Sequence, residues 1–458
     1  FTAGEYFDED GEVVAVEFYI DRNWDGVAQS NEFFNLDSVG TNKFDGIWEF
    51  EFDDAIGRYQ FLLVAEDDRG VKAEPVAAIV DLRFAGVAGN DSGVAGAPSG
   101  GDSALAAVNN PNGNTVVFQE DGQAWTASDL QQLTDAPDPI GDPTSYVDPK
   151  DGLTYVAVPS AEGLLLFQRA ADGEWSYRNL TDELGSNLLP EEHLVSWIGT
   201  RGTVGIAGLD DDGRLVSYIQ TGANLERWGS RDLSSDLNQQ GFATPEFSEL
   251  ITYVTNWNTW TIAGLDQNGD IQGVWVQPGQ FSTWRIDNLS EINGAPRLIG
   301  GLTAILSDWN GIHIGGLDEN GNAMVSWWVP GFGGNWRVSN ITAATEAPAF
   351  TGTTMTSYYT SWGGMNYAGV DADGELMVYW WVPGGKWRVA NLTSNLDERE
   401  ARPTESLTSF TTPGDQSNIL GTAEDGDVVR VSWQPGDRGW SIENLSEEAA
   451  EAVGSLAP

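Results

Sequence analysis

The sequence predicts an all-β protein: an Ig-like β-sandwich followed by a seven-bladed β-propeller. Three observations predict it. A short strand opened by tryptophan recurs at Trp125, Trp175, Trp228, Trp284, Trp336, Trp387 and Trp440. Asn-Gly and Asp-Gly turns, which need positive φ, fall between apolar runs inside the copies. Residues 1–83 lack the repeat but alternate apolar and polar side chains, as in Val14-Ala-Val-Glu-Phe-Tyr-Ile.

In chain order, residues 1–83 read as strands at 13–20, 46–52, 59–65 and 76–82, which suits an immunoglobulin-type sandwich. Residues 84–103 are rich in Gly, Ala and Ser and read as a linker. Residues 104–458 hold the repeat, and successive tryptophans are spaced by 50, 53, 56, 52, 51 and 53 residues. The fifth copy shows the content of one period. A strand near 302–307 is followed by Asn310-Gly311, a second strand by the turn Asp318-Glu-Asn-Gly321, a third strand by Pro330-Gly331, and then comes the Trp336 strand. Four antiparallel strands per copy, with no helical period between them, describe a propeller blade. The first copy holds only three convincing strands. The missing one comes either from 84–95 or from the tail at 452–456, and the sequence leaves both open.

Eighteen of the twenty tryptophans lie in the repeat region. In Trp327-Trp328 and Trp380-Trp381 neighbouring rings must point to opposite faces of a strand, as expected where each blade packs between two others; inter-blade core is the favoured reading and ligand stacking the alternative.

The N-terminal segment resembles the Ig-like, cadherin-like repeats of large bacterial, planctomycete-type surface proteins. Asp8-Glu-Asp-Gly11, Val16-Glu-Phe-Tyr-Ile-Asp-Arg-Asn, Gly57-Arg-Tyr-Gln-Phe and Ala65-Glu-Asp-Asp-Arg-Gly70 carry the likeness. It implies secretion and a modular precursor, and it does not imply catalysis. The Trp-rich blades are loosely similar to tectonin-type lectin propellers.

Composition excludes several functions. The chain has 69 acidic and 22 basic residues among 458, a net charge of −47. Such a surface repels phosphate backbones, so no nucleic-acid partner is expected. Without cysteine there is no disulfide, thiolate metal site or thiol nucleophile. His193 and His313 are the only histidines; His313 reads as packed in a strand and His193 as part of a surface loop. No apolar run is long enough to span a membrane. The charge itself suits solubility in salt.

One acidic segment has a metal-binding pattern. From Asp21 to Glu32 the sequence matches D-x-[DN]-x-[DN]-G-x5-E at every fixed position. Asp21, Asn23, Asp25, the Val27 carbonyl, Gln29 and Glu32 would surround one Ca2+, with Gly26 allowing the sharp turn. A strand precedes the loop, so this is no EF-hand pair, and the ion would order the loop.

Asn179, Asn288, Asn340, Asn391 and Asn444 each begin an Asn-x-Ser/Thr sequon at one repeat position, and Asn90 begins a stray sixth. Asp129 and Asp232 occupy that position in the other two copies, so a turn-forming role explains all seven. Asp210, Asp266, Asp318 and Asp371 likewise read as hairpin-turn residues. No Gly-x-Ser-x-Gly elbow, phosphate loop or dinucleotide fingerprint is present.

The expectation is therefore a secreted, non-enzymatic structural or adhesive surface protein. Its propeller would bind other surface proteins or copies of itself, with contacts on the blade-to-blade connections. The alternative is a carbohydrate-binding, lectin-like propeller using Trp197, Trp257, Trp260, Trp309 and Trp362 near the ends of first strands. A polysaccharide-degrading enzyme ranks third.

Overall fold

The computed structural model describes residues 13–21, 33–37, 57–67, 69, 71–73, 76–82, 94–100, 103–110, 113–121, 124–148, 150–170, 173–200, 202–221, 227–277, 283–331, 334–394, 402–412 and 414–448. The chain divides into two compact units, Phe1–Arg83 and Phe84–Pro458.

In the first unit β1 (Val13–Asp21), β2 (Phe33–Asp37), β3 (Gly57–Asp67) and β4 (Val76–Leu82) form one antiparallel sheet in the order β2-β1-β3-β4. Alternation puts Tyr19, Leu62 and Val64 into one buried cluster. Lys72 donates to Glu17 at 2.5 Å, which holds that carboxyl below its ordinary range. The strand expected at 46–52 lies outside the described residues, and β2 was not expected.

The second unit contains seven four-stranded antiparallel sheets, blades 1 to 7, at 94–129, 144–179, 192–232, 247–288, 298–340, 350–391 and 405–444. The first strands of neighbouring blades run side by side around the centre, and that of blade 7 closes against that of blade 1. This is a seven-bladed β-propeller. Because strands alternate in direction, the connections between strands 1 and 2 and between strands 3 and 4 share one end, here the rim end. The strand 2–3 turns and the blade-to-blade connections share the other, the cap end.

Blade 1 corrects the expected linker. Val94–Gly100 is its first strand and pairs with Ser103–Asn109. A β-carbon on Gly96 would lie 2.9 Å from Leu420 Cδ1 and 3.0 Å from Phe410 Cε1. The small residues there thus reflect close packing on blade 7 rather than flexibility. The first strand of blade 1 therefore precedes its other three in the chain; 452–456 lies outside the described residues.

The cores lie between blades. Ala323, Val325 and Trp327 face blade 6, while Met324 and Trp328 face blade 4. The paired tryptophans do point to opposite sides, but all four are only half-buried.

The repeat signature has a capping function. Asp129, Asn179, Asp232, Asn288 and Asn340 cap one- to two-turn helices, from Leu130–Thr134 in blade 1 to Ile341–Thr345 in blade 5. In each the side-chain oxygen accepts the N–H three residues on, as in Asn340 from Ala343 at 2.7 Å. Asn391 and Asn444 accept in the same way from Ser394 at 2.9 Å and Glu447 at 3.1 Å. The next residue, Leu or Ile in all seven copies, is buried. The residue after that accepts the N–H that starts the third strand, as Thr342 Oγ1 does from Ala323 at 2.9 Å. Gln131 fills this role in blade 1, accepting from Thr115 at 2.6 Å. The sequon is therefore a cap followed by a core residue and a strand pin. No helical period was expected because each helix is too short to display one.

The Asp turns also behave as expected. Asp318 Oδ1 accepts from Asn320 and Asn322, both at 2.9 Å, and Gly321 adopts φ 74°.

Candidate functional site

The rim end of blades 4, 5 and 6 carries one construction three times. The first hairpin of each closes through a hydroxyl that accepts the N–H four residues on. Thr255 accepts from Thr259 at 2.9 Å, Ser307 from Gly311 at 2.8 Å and Thr360 from Gly364 at 2.9 Å. The third residue of each turn is a tryptophan: Trp257, Trp309 or Trp362. Trp257 and Trp362 are each 44 % exposed.

Neighbouring hairpins are tied together. Asn258 Oδ1 accepts from the Thr200 N–H at 2.9 Å, and the side chains of Asn256 and Asn310 bond across the next junction. Tyr359 donates to Asp308 at 2.6 Å, and Ser361 donates to Asp415 at 2.7 Å. These bonds fix the height and spacing of the rim.

Each rim tryptophan stands edge-on to a tryptophan from the third strand of the following blade. Trp257–Trp328, Trp309–Trp381 and Trp362–Trp433 all have ring centroids 5.8 Å apart, at 72°, 73° and 81°. Such pairs contribute about 0.5–1.5 kcal/mol beyond their burial. The fourth-strand tryptophan continues the surface outward: Trp381–Trp387 are 6.5 Å apart and Trp433–Trp440 6.4 Å. On the facing blade an arginine stacks on its cross-strand tryptophan. Arg285 lies 5.9 Å from the Trp275 centroid, Arg337 5.3 Å from Trp327 and Arg388 5.1 Å from Trp380.

Three consecutive clefts, 4/5, 5/6 and 6/7, are therefore each lined by four tryptophans and one stacked arginine. They hold twelve of the twenty tryptophans. The other clefts are built differently. In 2/3, Lys150 takes the rim position and donates to Gln220 at 2.8 Å. In 7/1, the buried Arg430 bonds Asn418, Gln416, Glu443 and Glu120 and stacks 5.1 Å from Trp125.

The 5/6 cleft has a polar floor. His313 is 6 % exposed, its Nε2 lacks a partner, and Trp309 packs edge-on to it at 6.4 Å. Burial lowers its pKa to about 4, so the ring is neutral at pH 7. Tyr367, 5.9 Å from the cleft's Trp387, is fully buried, and burial pushes its phenol well up. Flat indole faces beside exposed cationic edges suit a ligand with one apolar face and polar edges.

The structure separates the five expected rim tryptophans. Trp257, Trp309 and Trp362 are at the clefts. Trp197 and Trp260 are buried against each other, centroids 6.1 Å apart, and belong to the core. Of the calcium-loop residues, Asp21 ends β1, while Asn23, Asp25, Val27, Gln29 and Glu32 lie outside the described residues. The blade-to-blade connections carry the capped helices. His193 lies within strand Glu192–Ile198 rather than in a loop. Trp328 and Trp381 belong to the pairs read chiefly as inter-blade core, with ligand stacking as the alternative; Trp433 and the three arginines were not foreseen. Their signal was co-occurrence across copies: blades with a rim tryptophan also have Trp-Arg in the fourth strand.

The fold defines a seven-bladed β-propeller, and lectin propellers are among its structural neighbours. At the sequence level neither a family profile nor a curated protein matches the chain. Among solved structures, the lectin BP39L from Burkholderia pseudomallei aligns with a TM-score of 0.59 at 16 % identity, covering 77 % of this chain and 98 % of that one. The Aleuria aurantia lectin, solved with Fucα1-6GlcNAc, aligns at 13 % identity over 77 % of this chain and 94 % of its own, TM-score 0.45. AofleA from Arthrobotrys oligospora aligns at 14 % identity over 66 % and 86 %, TM-score 0.43. At these identities the likeness is one of fold.

Proposed function

We propose that the propeller is a carbohydrate-binding module with three equivalent sites in clefts 4/5, 5/6 and 6/7. One observation carries this reading. The rim tryptophan, its edge-on partner and the stacked arginine occur together in three clefts, while the other four close without them. A structural requirement would apply to all seven. Leaving a large indole 44 % exposed, as at Trp257 and Trp362, forgoes roughly 1–2 kcal/mol of burial and marks an interaction surface. A sugar ring fits because its C–H face stacks on indole while its hydroxyls reach polar groups at the edge. The fold likeness to the lectin BP39L supports this reading.

The test is a glycan array that includes fucosyl glycans, probed with the wild-type chain and with Trp257→Ala, Trp309→Ala and Trp362→Ala singly and together. Each single variant should weaken binding and the triple variant should abolish it. A blank wild-type array, or full binding by the triple variant, rejects the reading.

The module acts by binding rather than catalysis, and bound glycans should be recovered intact. The setting we favour is extracellular, with cell-surface adhesion or self-assembly as the consequence of glycan capture. For residues 1–83 we retain the Ig-like sandwich and a Ca2+ loop at Asp21, Asn23, Asp25, Val27, Gln29 and Glu32. Calorimetry of the full chain should show one Ca2+ site that Glu32→Gln removes; no heat of binding rejects it.

A further inference from the structure

We propose that the three clefts are selective for an acidic carbohydrate, one carrying a carboxylate or sulfate group. The inference rests on the lectin reading and names its ligand class. It starts from the residue after the fourth-strand tryptophan. This residue is Arg285, Arg337 and Arg388 in blades 4, 5 and 6, and Thr126, Ser176, Gly229 and Ser441 in the others. The arginines therefore occur in the blades with rim tryptophans and not elsewhere. Each is exposed, and each lies 5.1–5.9 Å from the centroid of a half-buried tryptophan facing the same cleft. A guanidinium beside an indole face presents the forked N–H donors that can receive a carboxylate or sulfate through two hydrogen bonds.

Charge is sorted along these blades. Around the clefts stand Arg285, Arg337, Lys386, Arg388 and Arg438, with Asp287, Asp308, Asp415 and Asp437 as the acids among the described residues. All four acids are engaged: Asp287 accepts from Trp275 Nε1 at 2.7 Å, Asp308 from the Tyr359 hydroxyl at 2.6 Å, Asp415 from the Ser361 hydroxyl at 2.7 Å and Asp437 from the Gln434 N–H at 3.1 Å. The cap end of the same blades carries Asp266, Asp270, Asp318, Asp371, Asp373 and Glu375 among its acids and, among the described residues, Arg297 and Arg402 as its cations, the latter paired with Glu375 at 2.6 Å. On a chain of net charge −47, a cationic rim at the aromatic clefts departs from the composition around it. Strand support alone does not account for the arginines, since blades 1, 2, 3 and 7 pair the same strands without them.

The test compares methyl β-D-glucuronide with methyl β-D-glucoside, which differ in one carboxylate, by titration calorimetry on the full chain. The glucuronide should bind about tenfold more tightly. The triple variant Arg285→Gln, Arg337→Gln, Arg388→Gln should lose that preference, so that the ratio of the two affinities falls to about one. A lysine triple variant retains the charge without the fork and should keep part of the preference, which separates charge from an effect on folding. Equal affinities in the wild type, or a preference that survives glutamine substitution, overturns the inference. If neither glycoside binds, the acidic-sugar inference is overturned, and the array with the rim-tryptophan variants decides independently whether the lectin reading stands.

Discussion

Replacing Arg430 with methionine should open the seam between blades 7 and 1. Its side chain is 1 % exposed. Nε donates to Asn418 at 2.8 Å, Nη2 to Gln416 at 2.7 Å, and Nη1 to Glu443 at 3.0 Å and Glu120 at 3.4 Å. Methionine keeps the bulk and removes every donor. Asn418 is fully buried, so its orphaned oxygen alone costs about 1–3 kcal/mol. Removing one partner of a buried ionic group costs about 3–5 kcal/mol, and we expect the lower half of that range. Glu443 and Glu120 are 31 % and 20 % exposed, and water will take over part of the lost solvation. Urea unfolding at fixed pH measures this as a lower midpoint at unchanged slope. Glu120→Gln, acting through the longest of these contacts, should cost under about 1 kcal/mol. A loss below about 1 kcal/mol for Arg430→Met would refute the assignment of ring closure to this cluster.

Two further perturbations test local assignments. Asn340→Ala should destabilise by about 1 kcal/mol through the lost cap, whereas Asn340→Asp, the residue type found at Asp129 and Asp232, should be nearly neutral in thermal melts; equal losses would argue against capping. His313 titrates near 4 when folded and near 6.5 when unfolded, so the unfolded chain binds the proton first as pH falls. Stability should therefore decline between about pH 7 and pH 4; relative to His313→Phe the wild type should lose about 2 kcal/mol between pH 7 and pH 5, and parallel curves would exclude it.

The blade repeat was legible because an obligate structural device recurs in it. The fourth-strand tryptophan, the capping Asn or Asp, the buried Leu and the pinning hydroxyl each solve a local problem that every blade poses. Their spacing therefore shows through sequence divergence. Val94–Gly100 was missed for the opposite reason: close packing on Phe410 and Leu420 selects small residues, and small residues read as a linker. The clefts were half legible. Trp309 looked exposed from its hairpin position, and Trp260, three residues beyond Trp257, looked similar. One residue inside the second strand, however, the chain turns the ring inward onto Trp197. Cleft partners come from adjacent copies, so they emerge only when residues are compared across the blade boundary rather than within a repeat.

Function and stability should separate cleanly among the tryptophans, and this distinguishes a binding surface from a core. Trp284 is fully buried between blades 3 and 4. Truncating it to alanine should cost about 3–5 kcal/mol by loss of burial and creation of a cavity. Trp362 is 44 % exposed and its main ring contact is the edge-on pair with Trp433, so Trp362→Ala should cost only about 1 kcal/mol. If the rim exists to bind, Trp362→Ala should weaken glycan capture at nearly native stability, whereas Trp284→Ala should lower the unfolding midpoint and leave capture by the surviving folded fraction intact. Equal destabilisation by the two substitutions would make the rim tryptophans part of the core. The threefold pattern would then call for a packing explanation that the other four clefts do not share.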